Sequence, residues 1–407
     1  MTTFNRDAST SRVAWLPALL LIGAQCAVGM RDMAQTSFFL IYLQEQLNFA
    51  PNVISNIVAG TQIVGMVVAL LGGAIAARIG SKWTLLIGML ISSIGSFAFQ
   101  LHSLWLIVLI WLIGGGSGSL LFVGSSSYLT KLRTHGALGT LAAVYALSMT
   151  VGGAIGNPLA AAIIERYSYG GYGLFMFGFM VLVALLLAWW MPNIKSAPTE
   201  GEASQSSGNP LHLLRLPNFP LIIFMRGIPT LYYGMILLLV PLMLNQLSSD
   251  KWVIAAYGTA NLIVASMAQL AAGRAADKWG ALRPSIAGYA GIIVTGIGLS
   301  LSTSSVIGLF ICGVLGIAAA WGLSTMLYMW VSDGIAKEQH ASAFGLLHAV
   351  WSLSMVGGSL LGGQLVDVWP GLPFLLLGLV NVNGFWLVTM YYRRLARSAA
   401  ASAATAG

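Results

Sequence analysis

Long, almost uncharged apolar runs recur along this chain at about 14–43, 52–75, 84–101, 104–129, 137–163, 171–191, 219–244, 252–272, 284–302, 306–332, 341–366 and 371–392. Each is long enough to cross ~30 Å of hydrocarbon as a helix. Inside a bilayer no water is available to a stray N–H or C=O. A spanning segment must therefore satisfy its backbone within its own helix or within a closed barrel. Barrel strands would appear as ~10-residue alternating segments. These runs are continuous and rich in Leu, Ile, Ala and Gly, so we expect an all-α membrane protein with twelve transmembrane helices. With 57% of the 407 residues hydrophobic and 7% charged, a water-soluble globular class is excluded.

The opening "MTTFNRDASTSRVAW" sets a polar head before the first run, but that run is too long for a cleaved secretory signal. "GAQC" also lacks the small residue that a lipoprotein cleavage site needs before Cys26, so the first helix is expected to be retained. Cys26 and Cys312 both fall in apolar runs, where a thiol behaves as a small hydrophobe. No disulfide, metal site or other cofactor is expected.

The net charge of +8 is explained by where the cations sit. If the N-terminus is cytoplasmic, 15 of the 19 Lys and Arg residues fall in inner segments and only Arg166 and Lys251 in outer loops. That bias follows the positive-inside rule, with both termini cytoplasmic and no call for a nucleic-acid partner. The expected location is a cell membrane, the bacterial inner membrane.

"NIKSAPTEGEASQSSGNPLHLLRLPN" is the longest polar interruption and has linker composition. It gives an expected organisation of a cytoplasmic N-terminus (1–13), a six-helix bundle (14–191), a linker (192–218), a second six-helix bundle (219–392) and a disordered cytoplasmic tail (393–407). The halves also repeat. "GGAIAARIGSK" answers "AGRAADKWGAL" at Gly73/Gly273 and Gly80/Gly280, and Gln46 matches Gln246, an offset of 200 residues. Further on, "YALSMTVGG" (145–153) answers "WSLSMVGG" (351–358). Parallel six-helix repeats are a known transporter design, with the substrate site at the repeat interface near the midplane.

"GRAADKWGALR" (273–283) resembles the loop signature of the major facilitator superfamily, and "GAIAARIGSK" (73–82) is its N-terminal copy, with Ala77 where the family has Asp. The resemblance covers nearly the whole chain. It implies two six-helix bundles around a central cavity lined by the first and seventh helices. It also implies a conformational role for Gly73, Arg78, Gly80, Lys82, Gly273, Asp277, Lys278, Gly280 and Arg283, in which the Asp pairing latches the outward-open state. "GGAIGNP" in the fifth span is similar in part to the family's antiporter motif. The fourth span lacks the intramembrane Arg of the proton-coupled drug exporters.

Ionisable groups at membrane depth cost at least ~2.5–3.5 kcal/mol to insert and are functional candidates by default. Arg31, Asp32 and Arg226 stand out. One Arg on each of the first and seventh helices is similar to the phosphate grip of the superfamily's organophosphate antiporters, and Arg suits planar oxyanions. By the 200-residue offset, however, Arg226 answers Cys26, five positions from Arg31. The competing reading is a structural charge pair. Since adjacent residues do not face each other on a helix, each partner is then expected on another helix. Asp32 is also a candidate proton carrier, with His348, the one His well inside a span, as a structural or proton-linked residue.

Further candidate substrate contacts come from helical spacing around these charges and aromatics, and from single polar residues within the spans. They are Gln35 and Tyr42 beside Arg31, Thr230 and Tyr233 beside Arg226, then Trp321 and Tyr328 in the tenth span, Trp351 in the eleventh, and Gln62, Tyr145 and Asn261. Pro229 and Pro241 are candidate bends. The glycine-rich runs fit close helix packing. No phosphate loop, nucleophile elbow or paired His and carboxylate cluster is present, so an enzyme is not expected.

The expected function is secondary transport of a small solute, an organic anion such as a carboxylate or phosphate ester, by alternating access. The expected partners are that solute, the bilayer, and protons or a counter-transported anion, with the protein acting as a monomer. The alternatives are a proton-coupled exporter of amphipathic compounds and a non-transporting solute sensor.

Overall fold

The computed structural model describes residues 15–132, 138–193, 210–336 and 339–406. The expected N-terminal segment and most of the expected linker lie outside the described residues. Twelve segments among those described are long and apolar enough to cross a membrane.

The first half contains α1 (Trp15–Glu45), α2 (Pro51–Ile79), α3 (Ser81–Ile94), α4 (Leu104–Lys131), α5 (Leu138–Arg166) and α6 (Tyr169–Trp190). The second contains α7 (Phe219–Leu247), α8 (Lys251–Trp279), α9 (Leu282–Leu301), α10 (Val306–Gly334), α11 (His340–Leu365), α12 (Leu372–Val380) and α13 (Val382–Ala406). At 1.5 Å per residue the 29-residue helices are about 44 Å long, reaching past the hydrocarbon into the polar layer. The caps follow from sequence. Asp250 accepts the Trp252 N–H at the start of α8, and Ser168 accepts the Gly171 N–H at the start of α6.

The last span is two helices rather than one. They meet at Asn381, whose side-chain amide donates to the Leu377 carbonyl at 2.7 Å and so competes with the helical ladder. Where a disordered tail is expected, α13 continues to Ala406, because "SAAASAATA" is dominated by the strongest helix former. Similarly, α7 runs unbroken through Pro229 and Pro241.

The two halves pack in the same way. α1 lies on α5 as α7 lies on α11, α2 on α4 as α8 on α10, and α3 on α4 as α9 on α10. Between the halves, α2 meets α11 and α5 meets α8, the two contacts that a parallel duplication relates. Lipid supplies no hydrophobic drive between helices, so close approach must supply the attraction. A Cβ at Gly152 or Gly156 of α5 would collide with the Cys26 or Met30 carbonyl of α1, and one at Gly358 of α11 with the Leu231 carbonyl of α7. The repeated "SM…GG" segments are thus the close-packing faces of equivalent helix pairs.

Gly80 connects α2 and α3 alone, and Gly280 with Ala281 connects α8 and α9; the two glycines have φ of 88° and 74°, a region L side chains avoid. The two copies of the loop motif therefore lie at one end of the bundle, here called the Asp277 end. The opposite end, where α1 finishes and α8 begins, is the Glu45 end.

Candidate functional site

Hydrogen bonds fasten the two halves together toward the Glu45 end. Glu45 closing α1 pairs with Lys251 opening α8, and its other oxygen accepts from Tyr169 at 2.7 Å. Lys251 also donates to Asn245 at 3.2 Å, and Asn245 donates to Gln44 at 3.2 Å. Trp252 donates its indole N–H to Glu165 at 2.8 Å, and Thr259 donates to the Ala154 carbonyl at 3.3 Å. Lys251 keeps 11% and Glu45 25% of its side chain exposed, so this ion pair works in a dielectric well below that of water.

At the Asp277 end, Asp277 is exposed and makes no ion pair among the described residues. Arg78, Lys278 and Arg283 are also exposed. Lys82 instead turns inward and donates to the Ala188 carbonyl at 2.9 Å, satisfying a C-terminal carbonyl of α6. Gly273 lies in α8 with only the Thr325 methyl nearby, and the surroundings of Gly73 in α2 lie outside the described residues.

Two cavities lie in the bundle between these ends. The first, of about 280 Å³, is lined by Arg31, Asp32, Gln35, Thr61, Gln62, Ser92 and Trp111 of the first half and by α7 and α11 of the second. The second, of about 290 Å³, belongs to the second half, with Arg226, Thr230, Tyr233, Gln269, Trp321, Ser324, His348 and Trp351 on its walls. The two adjoin. Tyr233 of α7 faces one and Gly234 the other, and on α11 Trp351 and Met355 divide in the same way. Each is close to the smaller end of the range for ligand pockets.

In the first cavity Arg31 is 4% exposed and turns its guanidinium back onto its neighbour. Nε donates to Asp32 Oδ1 at 2.7 Å, Nη2 pairs with the same oxygen, and Nη1 donates to Ser92 at 2.8 Å. This corrects the expectation that the partner would come from another helix. The spacing rule fixes the direction in which adjacent side chains leave the helix, but a long Arg can still fold back along the surface, and in a buried site its nearest carboxylate is worth reaching. Both bonds fall on Oδ1, and the Asp32 side chain keeps 31% of its surface open. Of the two paired groups lining the cavity, the carboxylate is therefore the more open. Trp111 lies flat on Phe39, rings 3.5 Å apart at 15°, and forms an aromatic wall.

In the second cavity Arg226 donates from Nη1 to Ser324 at 2.8 Å, while its buried Nε has no partner. No Asp or Glu lines this cavity. A guanidinium left without a counter-charge in a poorly hydrated site is costly, and each charge-assisted bond from an incoming oxyanion is worth about 1.5–3 kcal/mol. Thr230 donates to the Arg226 carbonyl at 2.7 Å. His348 stacks on Trp351 at 5.5 Å and 20°, so its ring is a wall element. Among the described residues no His, Cys, Asp and Glu cluster could hold a metal ion.

The arginines of the expected two-residue clamp thus face different cavities, and Asp32 and His348 are separated likewise. Four other candidates line neither cavity. Tyr42 donates to the Leu101 carbonyl at 2.6 Å within the Phe39 and Phe99 cluster. Tyr145 donates to Ser125 at 2.6 Å. Asn261 is buried in α8, and Tyr328 is exposed beside Phe344. Sequence reading missed Ser92, Ser324 and Trp111, which carry no signal apart from their neighbours. It also missed the Glu45–Lys251 pair, which the matched Gln46 and Gln246 at the ends of equivalent helices could have suggested.

A family profile described as Major Facilitator Superfamily matches residues 20–333. The chain is 25% identical over 179 residues to the class H tetracycline resistance protein of Pasteurella multocida, covering 42% of this chain and 44% of that protein. It is 24% identical over 231 residues to the multidrug resistance protein MdtH of Klebsiella pneumoniae (strain 342), covering 54% of each. It thus spans about half the length of the curated relatives it matches. Among solved structures, the nucleoside transporter NupG superposes with a TM-score of 0.74 at 13% identity, over 94% of this chain and 99% of that one. A bacterial homologue of the human lysosomal transporter Spinster, in an inward-facing and unoccupied conformation, superposes with a TM-score of 0.73 at 15% identity, over 95% and 98%.

Proposed function

Because this chain belongs to the Major Facilitator Superfamily, we propose that it is a secondary active transporter that moves a small solute bearing an anionic group through the two central cavities by alternating access. The observation that carries the anionic part is Arg226, whose guanidinium has Ser324 for a partner, a free buried Nε and no carboxylate on the same cavity wall. An oxyanion arriving there gains charge-assisted bonds and supplies the missing counter-charge.

The charge bias of the loops supports a cytoplasmic Asp277 end. On that reading the Glu45–Lys251 and Glu165–Trp252 bonds hold the outer side shut, and the exposed Asp277 is an unfastened inner latch. This is an inward-facing state. The conformational motif around Gly80 and Gly280 would then act when the inner side closes, with one copy lacking its carboxylate at Ala77.

The test is counterflow in proteoliposomes, which needs binding and translocation but no knowledge of the driving ion. Labelled organic anions should accumulate against unlabelled ones in wild-type vesicles. An unchanged rate in Arg226→Gln would overturn the anionic assignment, and failure of all solutes to exchange would overturn transport in favour of a sensor. One second reading has its own support. Asp32 presents a carboxylate oxygen at membrane depth, and both curated relatives are resistance proteins by name, which favours proton-coupled export of amphipathic compounds. Full export activity in Asp32→Asn without a pH gradient would exclude it.

A further inference from the structure

The two cavities leave unlike groups open to a ligand. In the first, the guanidinium of Arg31 is enclosed and bonded to Asp32 and Ser92, and the more open group is the second oxygen of Asp32. In the second, the group left open is the Arg226 guanidinium. We infer that the transported molecule is dipolar, with a cationic or strongly donating group that binds Asp32 and an anionic group that binds Arg226. This deepens the transporter reading and rests on it.

Three observations carry the inference. First, the two cavities are neighbours along the same helices. Its cavities share α7 and α11 as walls, and their lining passes from one to the other between Tyr233 and Gly234. From Pro229 to Leu237, the middle of each lining stretch, α7 rises about 12 Å. Second, the wall between the charged ends is largely apolar, with Leu237, Leu238 and Met355 on one side of the junction and Trp351 on the other, and Tyr233 and Ser359 as polar members. A linear apolar spacer fits this better than a compact polyanion. Third, a purely anionic ligand would meet the more open oxygen of the Asp32 carboxylate in the first cavity, because the Arg31 guanidinium that pairs with Asp32 is itself 95% enclosed and already bonded to Oδ1 and Ser92. A purely cationic ligand would meet Arg226 in the same way. Two unlike charges on one molecule satisfy both walls, and each end rejects the wrong charge.

A molecular ruler tests this on the purified full-length protein. The probes are straight-chain ω-aminoalkanoates of four to eleven carbons, with alkanoates and alkylamines of matched length as controls, and the measurements are thermal shift and titration calorimetry. The expected result is an optimum chain length at which the aminoalkanoate binds about tenfold or more tighter than either control. In Asp32→Asn the preference for aminoalkanoate over alkanoate should collapse, and in Arg226→Gln the preference over alkylamine should collapse. If Asp32→Asn fails to fold because Arg31 loses its partner, the double variant Arg31→Gln with Asp32→Asn removes both charges and gives the same reading. Equal binding of alkanoate and aminoalkanoate, no length dependence, or no binding by any probe overturns the inference. Counterflow of the same probes is read separately. Exchange of alkanoates without an amino-group preference sinks the dipolar inference and leaves the transporter standing. A binding preference without exchange does the reverse.

Discussion

Arg31 folds onto Asp32, the residue next to it in α1, and places two of its three bonds on the same carboxylate oxygen. The charge that looks like an anion receptor in the sequence is thereby spent within the helix that carries it. What remains for a ligand in that cavity is the acidic partner. The uncompensated guanidinium lies elsewhere, at Arg226.

The Arg31–Asp32 pair should behave as a coupled unit. Arg31→Gln alone leaves a carboxylate at membrane depth without its cation, and Asp32→Asn alone leaves a buried cation. Each single variant is expected to unfold at lower temperature, while the double variant recovers part of the loss. A double-mutant cycle on thermal unfolding in detergent should return a coupling of about 1–3 kcal/mol. Simple additivity would show that the two side chains do not depend on each other.

Arg226 should affect ligand binding more than folding. Arg226→Gln removes a poorly compensated charge, so the unfolding temperature is expected to hold or rise, while affinity for an anionic solute falls about tenfold or more. Arg226→Lys should recover little, since an ammonium lacks the planar fork. Calorimetric titration against a transported solute checks both variants.

The Glu45–Lys251 contact should set how firmly the Glu45 end is closed. In a background with Cys26 and Cys312 replaced by Ala, a single reporter cysteine at Thr36, which lines the first cavity, is expected to react with an impermeant thiol reagent mainly from the Asp277 side. Adding Glu45→Gln should raise labelling from the opposite side several-fold. Unchanged sidedness would mean that Trp252–Glu165 and helix packing alone hold the end shut.

Two glycines that look alike in the sequence should respond oppositely. A Cβ at Gly156 would run into the Met30 carbonyl, so Gly156→Ala is expected to cost at least about 1–3 kcal/mol through forced separation of α1 and α5. A Cβ at Gly118, on the wall of the first cavity, meets nothing within 4 Å. Gly118→Ala should fold normally, and Gly118→Leu should narrow the range of solutes bound. Thermal unfolding read alongside ligand affinity separates the two outcomes.

The parts legible in the sequence are those that a single helix determines. Twelve apolar runs and the matched glycines at 80 and 280 led to twelve spans and two repeats, because lipid exposure and backbone self-satisfaction act residue by residue along one segment. The close-packing role of "GGAIG" was legible for the same reason. By contrast, Tyr42 shares a helical face with the cavity residues Arg31 and Gln35 and yet spends its hydroxyl on Leu101, and Tyr145 spends its own on Ser125. A polar stripe marks a direction on a helix without saying what stands in that direction.

The sequence by itself determined the membrane class, the helix count, the duplication and the short list of costly charges. Only the tertiary structure decided that Arg31 answers to Asp32, that Arg226 faces a different cavity, and that Glu45 meets Lys251 across 206 positions of chain. The reason is physical. The rotation and depth of each helix are set by how glycines and bulky side chains from distant segments fit together, and that fit is a property of pairs of helices that no single stretch of sequence contains.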